Sequence, residues 1–383
     1  MAAPPIVDLT DDELRARGGL KWTYPPTDVL PAWVAETDVA PDPVVRDAVA
    51  AAVAAGGFGY PPFDASSALP EVFAAYARRQ WGWQVPASSV VSTVDVMHGI
   101  LLALTTLCAD APVIVPTPTY PPFLQVVPQS RRELVTIPLD PDAERATLDL
   151  GRIDAAMAAG ARTVLLANPH NPWGRAFTRD ELVALLEVVH RYGGRVVSDE
   201  IHAGLVLPGA VHVPLATLPG GAEVTTTLMS ATKAWNMPAL KCAQIVAGDT
   251  ADLKALRALP MVDNHSTSTL GIVAAQAAYA GGQPWLDAWV QRLATNRAVY
   301  EEAVAEHLPD ARHRPLEATY LAWLDVRAYG HTDPARVALQ RGRVMVNDGR
   351  SFGPGGEGHV RVNLGTSPER IERIVRAVAA GLT

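Results

Sequence analysis

Three polar residues stand just past the ends of apolar, strand-like runs: Asn171 after 163–167, Asp199 after 195–198, and Lys233 after 225–229. In open α/β sheets the ligand crevice lies outside the carboxyl ends of the strands, so side chains at three such ends can converge on one site. Their chemistries are complementary. A lysine amine can hold an aldehyde covalently, and a carboxylate can pair with a protonated ring nitrogen and keep the ring an electron sink. An amide can hydrogen-bond a phenolic oxygen. Together they suit pyridoxal phosphate. Singly, each has an ordinary alternative: a solvated surface lysine, an aspartate at a turn, an asparagine that only precedes proline. It is their joint occurrence, with specific neighbours, that carries the reading.

The elements that must position these residues alternate between helical and strand patterns, the signature of an α/β sheet. Residues 44–55 read as an alanine-rich helix stopped by Gly56 and Gly57. Ser92-Thr93-Val94-Asp95 leads into an apolar helical stretch at 100–107, and 113–115 and 163–167 read as buried strands. Thr178 and Glu181 predict a capping box, followed by the apolar stripe Leu182, Leu185, Leu186 and Val189 and the stop Gly193-Gly194. Strands at 195–198 and 225–229 come next. From about residue 285 the texture changes, to a long helix at 285–307 and strands at 320–326 and 358–363 of a second, smaller sheet. The last helix has Ser367 as N-cap and Pro368 in its first turn. Residues 1–43 are rich in proline and predict an extended arm wrapped on the body or on a partner subunit. The expected division is an arm (1–43), a large domain (44–283) and a small C-terminal domain (284–383).

Composition bounds the function. The 383 residues are 49% hydrophobic and 19% charged, which excludes a disordered or low-complexity chain. Forty acidic against 32 basic residues give a net charge of −8, which disfavours nucleic-acid or anionic-membrane partners. Cys108 and Cys242 cannot build a disulfide framework or a cysteine zinc site, and His98, His170, His202, His212 and His359 form no spaced zinc triad, so no metal is expected. No signal-peptide pattern opens the chain, and no apolar run approaches the ~18–20 residues of a spanning helix. The expectation is a cytoplasmic enzyme.

Four ordered segments carry a family resemblance: Asn168-Pro169-His170-Asn171-Pro172-x-Gly174, Ser198-Asp199-Glu200-Ile201-His202, Ser230-x-Thr232-Lys233 and Arg361-x-Asn363. Over essentially its whole length the chain resembles the fold-type I, class I/II aminotransferase superfamily. More narrowly it is similar to the MalY/PatB-type cystathionine β-lyases, through Val29-Leu30-Pro31-Ala32-Trp33-Val34-Ala35, Thr117-Pro118-Thr119-Tyr120-Pro121-Pro122-Phe123, Asn236-Met237-Pro238-Ala239-Leu240 and Thr319-Tyr320-Leu321-Ala322-Trp323-Leu324-Asp325. The resemblance implies an α/β fold: a large domain with a mostly parallel seven-stranded sheet and a smaller α+β C-terminal domain. It also implies a homodimer with shared active sites, with pyridoxal 5′-phosphate as cofactor and an amino acid as substrate.

Roles follow residue by residue from that resemblance. Lys233 would carry the cofactor and then act as the proton-transfer base, Asp199 would pair with the ring nitrogen, and Asn171 would bond the phenolic oxygen. Tyr120 would stack on the ring, and His202 stands where many aminotransferases have tyrosine. Val96 and Met97 would offer amides to the phosphate, with Ser230, Thr232 and Lys241 in support. Tyr60 would reach the phosphate of the neighbouring subunit and is the second catalytic candidate. Arg361 would bind the substrate α-carboxylate, with Asn363 and Ala35 beside it. Three features depart from the pattern: Glu36 in place of the usual aspartate, Gly204 in place of a common acidic residue, and Thr93-Val94-Asp95-Val96-Met97-His98 in place of a proline- and glycine-containing phosphate segment.

The implied reaction is carbon–sulfur β-elimination from L-cystathionine or an S-substituted L-cysteine. The alternatives are an aminotransferase, a diverted (for example decarboxylating) enzyme of specialised metabolism, and a regulator that binds a transcription factor.

Overall fold

The computed structural model describes residues 4–140 and 142–383. Seven strands build the larger sheet: β1 (Val90–Thr93), β2 (Val113–Thr117), β3 (Leu134–Pro138), β4 (Thr163–Ala167), β5 (Arg195–Asp199), β6 (Thr225–Met229) and β7 (Ala243–Val246). Their order is β1-β7-β6-β5-β4-β2-β3, and only β7 runs against the rest. Residues of β2, β4 and β6 are buried throughout. This is why these strands read as continuous apolar or threonine-rich runs rather than alternating ones: helices cover both faces.

One of those helices borders the site. Helix α1 (Val96–Thr106) lies against the sheet because Gly99 permits it: a Cβ there would sit 2.7 Å from Leu228 Cδ1 of β6 and 3.2 Å from Thr93 Cγ2. Helix α2 (Arg179–Arg191) starts at the expected Thr178–Glu181 capping box and buries Leu182, Leu185, Leu186 and Val189. Helix α3 (Gln283–His307) then leads to a second sheet of four antiparallel strands. These are β8 (Arg312–His313), β9 (Leu321–Asp325), β10 (Asn347–Asp348) and β11 (His359–Asn363), in the order β10-β11-β9-β8. Helix α4 (Pro368–Leu382) closes the chain, with Ser367 capping it and Ile371, Ile374, Val375 and Val378 turned inward. No helix among the described residues is long and apolar enough to cross a membrane.

The N-terminal segment departs from the expected extended arm. It contains two short helices, Asp11–Ala16 under a Thr10–Glu13 capping box and Leu20–Thr23. Leu30–Pro31 adds a parallel strand to Val344–Met345. The reason lies at residue 38. Asp38 is buried and accepts from Lys21 Nζ at 2.9 Å and from Trp22 Nε1 at 2.7 Å, so a charge pair and an indole pull the segment into a compact unit. Neither contact has a local sequence signature.

Burial pulls the Lys21 pKa down and the Asp38 carboxylate opposes that, with a smaller contribution from Glu36, as expected for a buried ammonium held mainly by one ion-pair partner. Replacing Asp38 by Ala leaves that ammonium buried without its ion-pair partner, on the Glu36 carbonyl alone. The expected loss is about 3–5 kcal/mol of stability, read from chemical denaturation at neutral pH; a change below 1 kcal/mol would show that the pair does not hold the segment.

Candidate active site

The site follows from strand adjacency. β4, β5 and β6 are parallel neighbours, with Ala167 opposite Asp199 and Asp199 opposite Leu228. Their carboxyl ends therefore lie side by side, and the turns that leave them carry Asn171, Asp199 and Lys233 to one cavity. Its wall includes ten of the expected residues: Ala35, Val96, Met97, Tyr120, Asn171, Asp199, His202, Thr232, Lys233 and Lys241. Ser230 stands just behind, with Oγ 2.9 Å from Thr232 Oγ1 and donating to the Cys242 carbonyl at 2.7 Å.

Lys233 Nζ donates to the Ala35 carbonyl at 2.9 Å. Burial, then the nearby Arg361 charge, lowers its pKa to about 8. Asp199 accepts the Ile201 N–H at 3.0 Å, and burial pushes its pKa up to about 7. His202 is buried with Nδ1 unpartnered, and burial lowers its pKa to about 3, so it is neutral at physiological pH. Lys241 Nζ meets Asp95 Oδ2 at 2.8 Å, which settles its position: it borders the cavity, in an ion pair. Burial works to raise the Asp95 pKa, but hydrogen bonds from Lys241 and from the His98 N–H outweigh it and lower the pKa.

Arg361 projects from β11, whose register places it opposite Trp323 on one side and Asn347 on the other. Nη1 donates to Asn171 Oδ1 at 3.0 Å, and Nη2 to the Trp33 carbonyl at 3.0 Å and to Asn347 Oδ1 at 2.7 Å. Nε has no acceptor, and the guanidinium lies 5.0 Å from the Phe352 ring centroid. Burial lowers its pKa to about 10, which still leaves it charged at neutral pH.

Of the four expected residues outside this wall, Arg361 reaches it through Asn171 and Ser230 through Thr232, while two stand apart from the cavity. Asn363 spends its amide on the backbone: Nδ2 donates to the Val34 and Glu36 carbonyls at 2.5 and 2.8 Å, and Oδ1 accepts the Gly365 N–H. It shapes the loop that carries Ala35. Tyr60 is 96% exposed and lies outside its own chain's cavity. Other residues were not singled out from sequence. Asn347 and the Trp33 carbonyl hold Arg361, and the Tyr320 hydroxyl donates to the Ala35 carbonyl at 3.1 Å. Tyr320 lies inside one of the quoted segments, whereas Asn347 reaches the site only through strand pairing.

These residues fit pyridoxal phosphate. Asp199 is a buried carboxylate with a single backbone N–H for a partner, and a cation beside it would restore its ordinary ionisation. Lys233 is a desolvated amine of lowered proton affinity, which suits covalent capture of an aldehyde. The first N–H groups of α1, those of Val96 and Met97, have no carbonyl one turn back to receive them and border the same cavity, as an anion requires.

Comparison with known proteins agrees with this geometry. The family described as aminotransferase class I and II matches residues 29–378. The cystathionine β-lyase of Corynebacterium glutamicum is 36% identical, over 97% of this chain and 98% of its own. The cystathionine β-lyase PatB of Bacillus subtilis is 30% identical, over 93% of each. The PLP-bound C–S lyase of Staphylococcus hominis superposes with a TM-score of 0.87 at 26% identity, over 93% of this chain and 89% of that one. The chain therefore belongs to the class I and II aminotransferase family of pyridoxal-phosphate enzymes, in the branch that contains the cystathionine β-lyases.

Proposed function

We propose that the chain is a pyridoxal-phosphate-dependent carbon–sulfur β-lyase that cleaves L-cystathionine or other S-substituted L-cysteines to a thiol, pyruvate and ammonia. The observation that carries the reading is Lys233, a buried amine with lowered proton affinity in one cavity with Asp199, in a chain whose full-length relatives are named cystathionine β-lyases. When bound, the cofactor supplies a protonated ring that takes up the electron pair left at the substrate α-carbon.

The residues divide the remaining work. Arg361 takes the α-carboxylate; Asn171, Asn347 and the Trp33 carbonyl already hold its guanidinium, so little freedom is lost on binding. Lys233, released from the Ala35 carbonyl, is the group that removes the α-proton, and a pKa near 8 leaves part of it neutral at pH 7. Asp199 keeps the ring nitrogen protonated, since a cation against it and its own ionisation favour each other. Tyr120 gives a flat wall for the ring, and His202 offers a polar contact without charge. The thiolate leaves the β-carbon with the C–S electron pair, and water converts the released unsaturated amine to pyruvate and ammonia.

The same reading includes a homodimer that acts in the cytoplasm. Phe58, Tyr60, Phe63, Met261 and Val262 are 61–96% exposed, and Phe63 packs edge-on against His265 with ring centroids 4.4 Å apart. The Thr269 hydroxyl donates to the Gly59 carbonyl, joining the two exposed segments into one surface that a second copy would cover. In that arrangement Tyr60 crosses to the partner's phosphate. Cys108 and Cys242 are buried and free, in keeping with a reducing compartment.

Purified holoenzyme given L-cystathionine and no keto acid is expected to form pyruvate and thiol over many turnovers. Lys233→Ala should lower that rate by about 10²–10⁴-fold or more and remove the visible absorbance of bound cofactor. A single turnover that resumes only when a keto acid is added would make the chain an aminotransferase instead. The pH dependence has a definite sign. Capture of pyridoxal phosphate by the cofactor-free protein needs neutral Lys233, so its rate should rise with pH up to about 8 and then level off; a flat profile from pH 6 to 9 would contradict the lowered pKa. For the dimer, Met261→Asp combined with Val262→Asp should halve the mass seen in sedimentation. An unchanged mass would remove this surface from the interface.

A further inference from the structure

The phosphate end of the cavity carries a negative charge of its own. Asp95 caps α1 through Oδ1, which accepts the His98 N–H at 2.9 Å, while Oδ2 accepts from Lys241 Nζ at 2.8 Å. Both side chains border the cavity, Asp95 37% and Lys241 52% exposed, so neither is sealed away from an incoming anion. The amides of Val96 and Met97 follow Asp95 directly in the chain. An anion drawn to them meets a carboxylate at the head of the same helix, and the Lys241 ammonium is already engaged. Both effects oppose the attraction that a helix N-terminus exerts on an anion.

We infer that Asp95 sets how tightly the phosphate of the cofactor is held: it shares the Lys241 ammonium and places a like charge beside the anion, so that retention is weaker than the cradle would otherwise give. This rests on the reading of the cavity as a pyridoxal-phosphate site. A purely structural role is separable from the charge. Asn caps a helix about as well as Asp, so Asp95→Asn keeps the bond to the His98 N–H and removes only the negative charge.

The test compares wild-type holoenzyme with Asp95→Asn, Lys241→Gln and the double variant. Cofactor loss is followed by the decay of its visible absorbance after dilution, and dissociation constants are measured for pyridoxal phosphate and for pyridoxal, which lacks the phosphate. Asp95→Asn should hold pyridoxal phosphate about tenfold more tightly, the scale of one partly solvated charge contact, with pyridoxal unchanged. Lys241→Gln should weaken the hold, and more so in the Asp95→Asn background, where the ammonium is no longer shared. An equal or weaker hold in Asp95→Asn overturns the inference, as does an equal gain for pyridoxal. Should the wild type fail to prefer pyridoxal phosphate over pyridoxal, the phosphate site itself is misread, a result distinct from the failure of Asp95 alone.

Discussion

Parallel pairing of β4, β5 and β6 is the constraint on which the rest of the molecule depends. It brings three carboxyl ends to one edge of the sheet, and with them an amide, a carboxylate and an amine that lie 28 and 34 positions apart in the chain. Each strand is buried on both faces, so the pairing cannot slip without exposing apolar surface on one side or the other. Helix α1 adds the fourth component. Its approach to β6 at Gly99 brings the free amides of its first turn to the same cavity.

The N-terminal segment supplies the opposite wall, and it does so with backbone carbonyls. Those of Trp33, Val34, Ala35 and Glu36 receive, in turn, Arg361, Asn363, Lys233 with Tyr320, and Lys21 with Asn363. Four consecutive carbonyls thus tie together residues from both sheets and from the N-terminal helices. The Lys21–Asp38 pair is part of the same construction. It lies away from the cavity, yet Lys21 also fixes the Glu36 carbonyl at 3.2 Å and so anchors the loop against which Lys233 rests. The Arg361 guanidinium and the Lys233 amine are both held by one short stretch of main chain.

Electrostatically the site keeps its charged groups out of water with few partners. Burial lowers the proton affinity of both Lys233 and Arg361, the Arg361 charge lowers that of Lys233 further, and burial raises that of Asp199. Under the proposed function, a bound amino acid and a protonated ring would bring opposite charges to Arg361 and Asp199. At the far end, Asp95 and Lys241 already neutralise one another. The two ends of the site therefore differ, one holding buried cations on neutral acceptors and the other a preformed ion pair.

The sequence by itself determined what depends on near neighbours. The capping box at Thr178, the N-cap at Ser367, four of the seven strand runs of the large sheet and the polar residues at the ends of three of them were legible because side-chain periodicity and caps are local effects; the strands at 90–93, 134–138 and 243–246 were not. The ordered motifs added the family, the cofactor and ten of the cavity residues. Tertiary structure alone decided the rest. Asn347 reaches Arg361 through antiparallel pairing across 14 positions, Asn363 turns to the backbone of residues 34–36, and Asp38 folds a segment whose prolines suggested an extended arm. Such contacts join residues whose separation in the chain follows no period. Their energy comes from burying a charge or an amide against a partner that only the completed fold brings near.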